Sequence, residues 1–300
     1  MPIKLAENFR AVFYAPFYAA QSLGFYASEG VEVELVNSSS PGDGVSALLN
    51  DAIDITWGGP MRVMKDRDLR PGSPLVCFGE VVGRDPFYLV GRSLVCGSRQ
   101  QTFRLADLPG LRFAAVAEVP TPWMCLQHDL REQGVDPSRL NRAPDRSMAS
   151  NFEALCNGQL DVVQLFEPYP AMALELGAGH ILYAASRRGP TVYTTFVATK
   201  RGIERHRDAF MGMTRAIRRM QGWLTQHGGE ELAEITAPFY PDVTRSILVS
   251  SLRRYEQAGI WARAPDISRQ GFTRLAESLL SGGFVSRMPT YEDCVDQSLG

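Results

Sequence analysis

The sequence predicts an α/β protein of two doubly wound lobes, joined by two crossing strands with a cleft between them. Three observations predict it. Short β-like runs alternate with helical segments from the start of the chain. That alternation is interrupted after Val82 and restarts near Leu105. A strongly β run at Val192–Thr199 then hands over to a final third that reads as helical almost to its end. Three hundred residues is also long for one core, so two domains fit better.

The elements follow in order. Ile3–Glu7 reads as a strand and Ala15–Glu29 as a helix closed by Gly30. Val31–Val36 alternates apolar and polar residues, as a half-buried strand does. Asn37–Gly44 is a loop by composition. A helix at Gly44–Asn50, a short strand at Asp54–Trp57, a helix at Met61–Asp68 and a strand at Leu75–Val82 complete a βαβαβ unit. A parallel sheet covered on both faces is the expectation. Phe87–Gly91 is a further strand followed by a loop. Leu105–Gly110 reads as a turn, Arg112–Ala117 as a strand and Thr121–Gln133 as a helix. Phe152–Asn157 is a helix, Leu160–Leu165 a strand and Pro168–Leu176 a helix. Crossings fall near Gly83–Phe87 and Thr191–Phe196. The expected division is residues 1–86 with 193–300 as lobe 1, and residues 87–192 as an inserted lobe 2. Ligands of open α/β sheets sit beyond the carboxyl ends of the strands, and here those ends face the cleft.

Composition excludes several classes of function. Charge is nearly balanced, with 31 basic and 33 acidic residues, which argues against nucleic-acid binding. No apolar run approaches the roughly 20 residues that cross a bilayer, so no membrane insertion is expected. The five cysteines are odd in number and scattered, without a C-x-x-C pair, and reduced thiols are expected. The four histidines (His128, His180, His206, His227) lack ligand spacing, so no metal site is expected. No phosphate-cradling or dinucleotide-binding glycine motif occurs, and no cofactor is expected. The chain as written opens without a secretion leader, which points to the cytoplasm. A leader upstream would point instead to the periplasm.

Five rings stand within residues 9–18: Phe9, Phe13, Tyr14, Phe17 and Tyr18. Phe17 and Tyr18 read as core. Asn8 offers a polar contact at the cleft, while Phe9 and Phe13 are either its walls or cover for the sheet. Trp57, at a strand end, either stacks on a ligand ring or fills the core. Gly58 and Gly59 let backbone N–H groups come close to a ligand. Arg62, one turn further, faces an anion or solvent. At the first crossing, Arg84 and Asp85 bind a ligand or pair with each other, and Phe87 adds a wall. Thr121 suits a helix N-cap with Pro122 after it, and Trp123 offers a second ring. Phe166 and Glu167 end a strand. There the carboxylate either reads an amine or ring N–H, serves as a base, or favours its helix start. Tyr193 and Thr194 offer hydroxyls at the return crossing.

Four motifs carry a resemblance. Gly24–Val36 (GFYASEGVEVELV), Leu105–Phe113 (LADLPGLRF), Asn157–Pro168 (NGQLDVVQLFEP) and Pro289–Asp296 (PTYEDCVD) resemble, in order, those of periplasmic binding proteins for nitrate, sulfonates and thiamine pyrimidines. The resemblance covers essentially the whole chain. It implies the type II periplasmic-binding-protein fold, hinge closure on a small molecule, and delivery to an ABC transporter permease by a monomer or weak dimer. The same scaffold hosts enzymes: a pyrimidine synthase, a sulfinate desulfinase and aromatic-acid decarboxylases. Gly58 and Arg62 stand near the synthase's cofactor-holding lysine and histidine, and its cysteine-rich iron-binding run is absent. Residues 7–17 contain no cysteine for a desulfinase. The expectation is a solute-binding protein for an aromatic or heteroaromatic ligand, with room for an anionic group. The alternative is a cytosolic enzyme on the same scaffold, either a cofactor-free decarboxylase or a pyrimidine-pathway enzyme.

Overall fold

The computed structural model describes residues 1–37, 42–92 and 103–299. Strands β1 (Ile3–Ala6), β2 (Val33–Val36), β3 (Ile55–Gly58) and β4 (Leu75–Val82) belong to a first sheet. Strands β5 (Tyr88–Gly91), β6 (Arg112–Ala114), β7 (Asn141–Arg142), β8 (Val162–Leu165) and β9 (His180–Ala184) make a second. Strand β10 (Thr194–Thr199) returns to the first. The orders are β2-β1-β3-β10-β4 and β7-β6-β8-β5-β9. The chain therefore leaves the first sheet after Val82 and rejoins it at Thr194.

The sheets are mixed, where purely parallel ones were expected. β10 runs antiparallel to β3 and β4, and β5 runs antiparallel to β8 and β9. The cause is topological: each of these strands arrives directly from the other lobe, with no crossover helix to reverse its direction. Strands β7 and β9 were not anticipated. β7 is two exposed polar residues, which carry no period.

Helices α1 (Ala15–Ser22) and α2 (Phe25–Ser28) replace the single helix expected over Ala15–Glu29. Gly24 separates them at φ +68°, a left-handed conformation that glycine adopts without a Cβ clash. α3 (Asp43–Leu49) and α4 (Met61–Leu69) complete the first lobe's early half. In the second lobe, α5 (Thr121–Glu132) begins at Thr121 itself, with Pro120 in the cap position expected for Thr121. α6 (Met148–Cys156) starts four residues before its expected position, where the Ser147 hydroxyl accepts from the Ser150 N–H at 3.1 Å. α7 (Tyr169–Glu175) follows.

The long α8 (Lys200–Thr236) is kinked at His206 and Gly228. α9 (Arg245–Gln257), α10 (Arg269–Ser281) and α11 (Tyr291–Cys294) end the chain. They bridge the lobes: α9 packs on α8 and on α7, and α10 packs on α4 and on α5. Among the described residues, no helix is long and apolar enough to cross a membrane.

Most of the early rings are core. Phe13, Tyr14, Phe17 and Tyr18 are at most 2% exposed. Trp57 stacks on Phe17 at 4.6 Å and 10°, beneath α1. Burying such a ring contributes roughly 1.5–3 kcal/mol, which explains why the cluster anchors α1 to the sheet.

The two crossings are hydrogen-bonded to each other. Thr191 N–H donates to Gly83 O at 2.9 Å, and Tyr193 N–H donates to Val82 O at 2.8 Å. Below them lies a buried charge cluster. Arg188 donates to Asp85 at 2.6 Å and, through Nε, to Asp129 on α5 at 3.0 Å.

Candidate functional site

Two adjoining spaces lie between the lobes. The inner one is a cavity of about 20 Å³ at the base of the cleft. The loop after β1 supplies Asn8, Phe9, Phe13 and Tyr14 to it. The turn after β3 and the start of α4 supply Gly59, Met61 and Arg62. Phe87 comes from the first crossing, Tyr193 from the second, and Val119 and Thr121 from the start of α5. Every contributing loop follows the carboxyl end of a strand or is a crossing, which is where the topology converges.

The polar side chains of this cavity are Asn8, Tyr14, Arg62, Thr121 and Tyr193. Asn8 is held in place: its Oδ1 accepts from Gly42 N–H at 3.1 Å and its Nδ2 donates to Tyr14 Oη at 3.4 Å. Burial pushes the Tyr14 hydroxyl up to about 12, so it stays protonated. The Tyr193 hydroxyl is buried without a hydrogen-bond partner among the described residues. Burial pushes it well above its usual range, so it too remains an O–H donor. The Arg62 guanidinium is half-buried. Its desolvation lowers its basicity, opposed by the charges of Tyr14 and Asp43. The orphaned Tyr193 O–H shares this cavity with the Arg62 guanidinium, and a buried unpaired donor costs about 1–3 kcal/mol. No Cys, His, Lys, Asp or Glu lines this cavity among the described residues.

The outer space is a chamber of about 800 Å³ with mostly apolar walls. Phe9–Val12 form one side with Phe239–Thr244 and Ile247 from the first lobe. Glu118, Val119, Met148, Phe166, Pro168, Tyr169 and Met172 from the second lobe form the other. Phe9 and Val119 line both spaces and partition them.

Of the residues singled out from the sequence, Asn8, Phe9, Phe13, Tyr14, Gly59, Arg62, Phe87, Thr121 and Tyr193 line the cavity, and Phe9 and Phe166 line the chamber. Seven face neither space. Trp57 is core, because its ring faces α1. Gly58 is buried opposite Thr195 in the sheet, and Thr194 lies within β10 opposite Val82. Arg84 sits at the hinge, where its backbone N–H donates to Ile260 O at 3.1 Å. Asp85 pairs with Arg188 rather than Arg84. Trp123 lies under the Arg142 guanidinium at 4.7 Å, beside Phe113. Glu167 is fully buried and paired with Arg254. The walls contributed by Met148, Met172 and residues 239–247 were not foreseen. No motif marks them, and only the packing of α9 across both lobes brings the last segment to the cleft.

Among the described residues, no group of three His, Cys, Asp or Glu is placed to hold a metal ion.

Comparison with known proteins agrees with this architecture. "Putative binding protein YtlA" of Bacillus subtilis (strain 168) is 25% identical over 300 residues, covering 99% of this chain and 88% of that protein. The periplasmic aliphatic sulphonate binding protein SsuA of Escherichia coli superposes with a TM-score of 0.78 at 14% identity, covering 99% of this chain and 98% of its own. The ligand-binding component of an ABC-type import system from Staphylococcus aureus, solved with zinc bound, superposes with a TM-score of 0.73 at 17% identity, covering 100% and 97%. At these identities the structural matches speak for the two-lobed periplasmic-binding-protein fold. The family description NMT1/THI5 like matches residues 12–230, well over half of the chain, and the chain therefore belongs to the NMT1/THI5-like family.

Proposed function

We propose that this chain is a solute-binding protein of an ABC import system. Its lobes would close on an anionic small molecule with an aromatic or heteroaromatic part and present it to a transporter permease. One observation carries the reading. The Tyr193 hydroxyl is a buried donor without a hydrogen-bond partner among the described residues, and the half-buried guanidinium of Arg62 lines the same cavity. A carboxylate or sulfonate would accept from both, forming charge-assisted bonds in a low-dielectric site. Phe9, Phe166 and Tyr169 line the larger chamber next to that cavity and give the flat walls a ring prefers. The relatives' names support the transport role, and those titled periplasmic support an extracytoplasmic place for the protein. Closure would bend the paired crossings at residues 83–87 and 189–193, with residues 1–86 and 193–300 moving against residues 87–192.

Native mass spectrometry of the purified protein, followed by release and identification of small molecules, tests this. An anion recovered unchanged after prolonged incubation supports a binder, whereas its conversion would make the chain an enzyme. Arg62→Gln removes the charge and is expected to weaken binding of that anion about ten- to a hundredfold. Unchanged affinity would place the anion elsewhere.

A further inference from the structure

We infer that a small oxyanion, such as phosphate, sulfate or acetate, binds between Arg67 and Arg287 and fastens the C-terminal segment to the first lobe. The site lies at the end of α4 opposite to the one that lines the cleft cavity, and it is independent of what the cleft binds.

A pocket of about 270 Å³ opens where the last turn of α4 meets residues 287–293. Arg67 lines it and is a buried cation, with 8% of its surface exposed. One of its terminal nitrogens donates to Ser73 O at 3.1 Å and to Leu75 O at 3.2 Å. Its Nε–H is buried without a hydrogen-bond partner among the described residues. Among those residues no carboxylate forms an ion pair with it: its neighbours Asp66 and Asp68 pair with Arg70 and Lys65. Burial pushes the nearby Cys294 thiol up to about 11, so it is no counter-anion near neutral pH. A guanidinium removed from water in this way calls for an anion, because buried charges are ordinarily paired.

A second guanidinium stands at the same pocket. Arg287 donates through Nη2 to the Arg67 carbonyl at 3.1 Å, which holds it against the end of α4. The two carboxylates of the pocket wall already accept hydrogen bonds. Asp68 accepts from the Ser286 N–H at 3.1 Å and from its hydroxyl at 2.7 Å, and Asp293 accepts from the Thr290 hydroxyl at 2.6 Å. The donors that remain are those of the two arginines, whose forked N–H groups match the spacing of oxyanion oxygens. Met64, Pro71 and Pro289 add apolar wall, which strengthens charge-assisted bonds there. An anion held by both arginines joins α4 to the segment just before α11. The chain beyond that segment reaches β4 through the Asp296 N–H, which donates to Cys77 O at 2.9 Å.

Thermal melts of the dialysed protein in phosphate, sulfate and acetate, each against chloride at equal ionic strength, test this. An oxyanion that binds only the folded chain is expected to raise Tm by about 4 °C at a hundred times its dissociation constant. The rise is expected to saturate with concentration and to be lost in Arg287→Gln, a change at an exposed position. Arg67→Lys keeps the charge without the fork and is expected to lose most of the rise. Arg62→Gln, in the cleft cavity, is expected to retain it. Hydrogen exchange of residues 291–297 is expected to slow in the same titration. A rise that never saturates and is equal in the parent and Arg287→Gln would mean an adventitious ion only, and would overturn the inference. The absence of a rise with any of the three oxyanions would overturn it as well. A saturable rise that survives Arg287→Gln would also overturn it, and its loss in Arg62→Gln would then place the anion in the cleft.

Discussion

The Glu167 carboxylate, fully buried at the end of β8, is ion-paired with the guanidinium of Arg254 on α9. Its other oxygen accepts from Ala171 N–H at 3.0 Å and from the Ser251 hydroxyl at 3.2 Å. Burial pushes this carboxyl up, and Arg254 opposes the shift. A group so fully satisfied has little capacity left for a ligand, and its role is to tie β8 to the C-terminal helices. Glu167→Ala leaves Arg254 without its anion and is expected to cost about 3 kcal/mol of stability, since breaking a buried pair is expensive. Chemical denaturation of parent and variant measures this. A variant as stable as the parent would show that the pair holds nothing together.

Glu80 on β4 makes stability pH-dependent. It is 2% exposed, with one carboxylate oxygen accepting from Ser268 N–H at 2.8 Å. Desolvation pushes its carboxyl up to about 7, outweighing that hydrogen bond. The folded state therefore holds the proton more tightly than the unfolded chain does. The stabilisation is fully present below the ordinary carboxylate range and is lost as pH rises toward 7. Glu80→Gln keeps an acceptor for Ser268 without the charge. Urea midpoints measured from pH 4.5 to 8 are expected to fall for the parent relative to Glu80→Gln, with the variant ahead at pH 8. Parallel profiles would mean that Glu80 is ionised in the folded protein at no cost.

Much of the fold was legible because local pattern and tertiary structure agree. Strand β4 occupies Leu75–Val82 as read from its apolar run, and the interruption after Val82 is where the chain leaves the first sheet. Strand direction was not legible, since it depends on which lobe the chain arrives from. The facing of Trp57 was equally closed to the sequence. All four residues of Ile55–Gly58 are buried, so no alternation tells one face from the other. Arg254 stands 87 residues from Glu167, and no spacing rule joins them. Arg62 was visible as a charge near a strand end. That it shares a cavity with the orphaned Tyr193 hydroxyl follows only from the packing around it.

The cysteines separate by burial. Among the described residues Cys77, Cys125, Cys156 and Cys294 are free thiols, and only Cys156 is exposed. Burial pushes the Cys77 thiol up, Cys125 to about 12 and Cys294 to about 11, so few thiolates form near neutral pH. Brief alkylation of the native protein at pH 8, read by peptide mapping, is expected to label Cys156 and leave the other three intact. Rapid labelling of Cys125 would mean that α5 opens from α10 far more readily than its packing implies.

The Arg188 cluster is the deepest charge in the hinge and gives the sharpest test of it. The Arg188 side chain is 5% exposed and faces two carboxylates, Asp85 and Asp129, the second also accepting from the Tyr183 hydroxyl at 3.0 Å. Two negative groups share one cation, so Arg188 holds together a crossing segment, α5 and the end of β9. Burial pushes the Asp85 carboxyl up even with the guanidinium present. Arg188→Met removes the cation and leaves both carboxylates buried beside each other. The expected cost is about 3–5 kcal/mol at pH 8. Without the guanidinium, Asp85 takes up its proton still more readily in the folded state. A raised acid contributes its stability below the unfolded range and loses it as pH rises. The gap between parent and variant is therefore expected to narrow at pH 5 and widen at pH 8. Adding Asp85→Asn to Arg188→Met removes one buried charge and should recover part of the loss at pH 8 but little at pH 5. Denaturation midpoints at the two pH values decide the matter. A gap equal at both would mean that Arg188 acts through the packing of its stem, not through its charge.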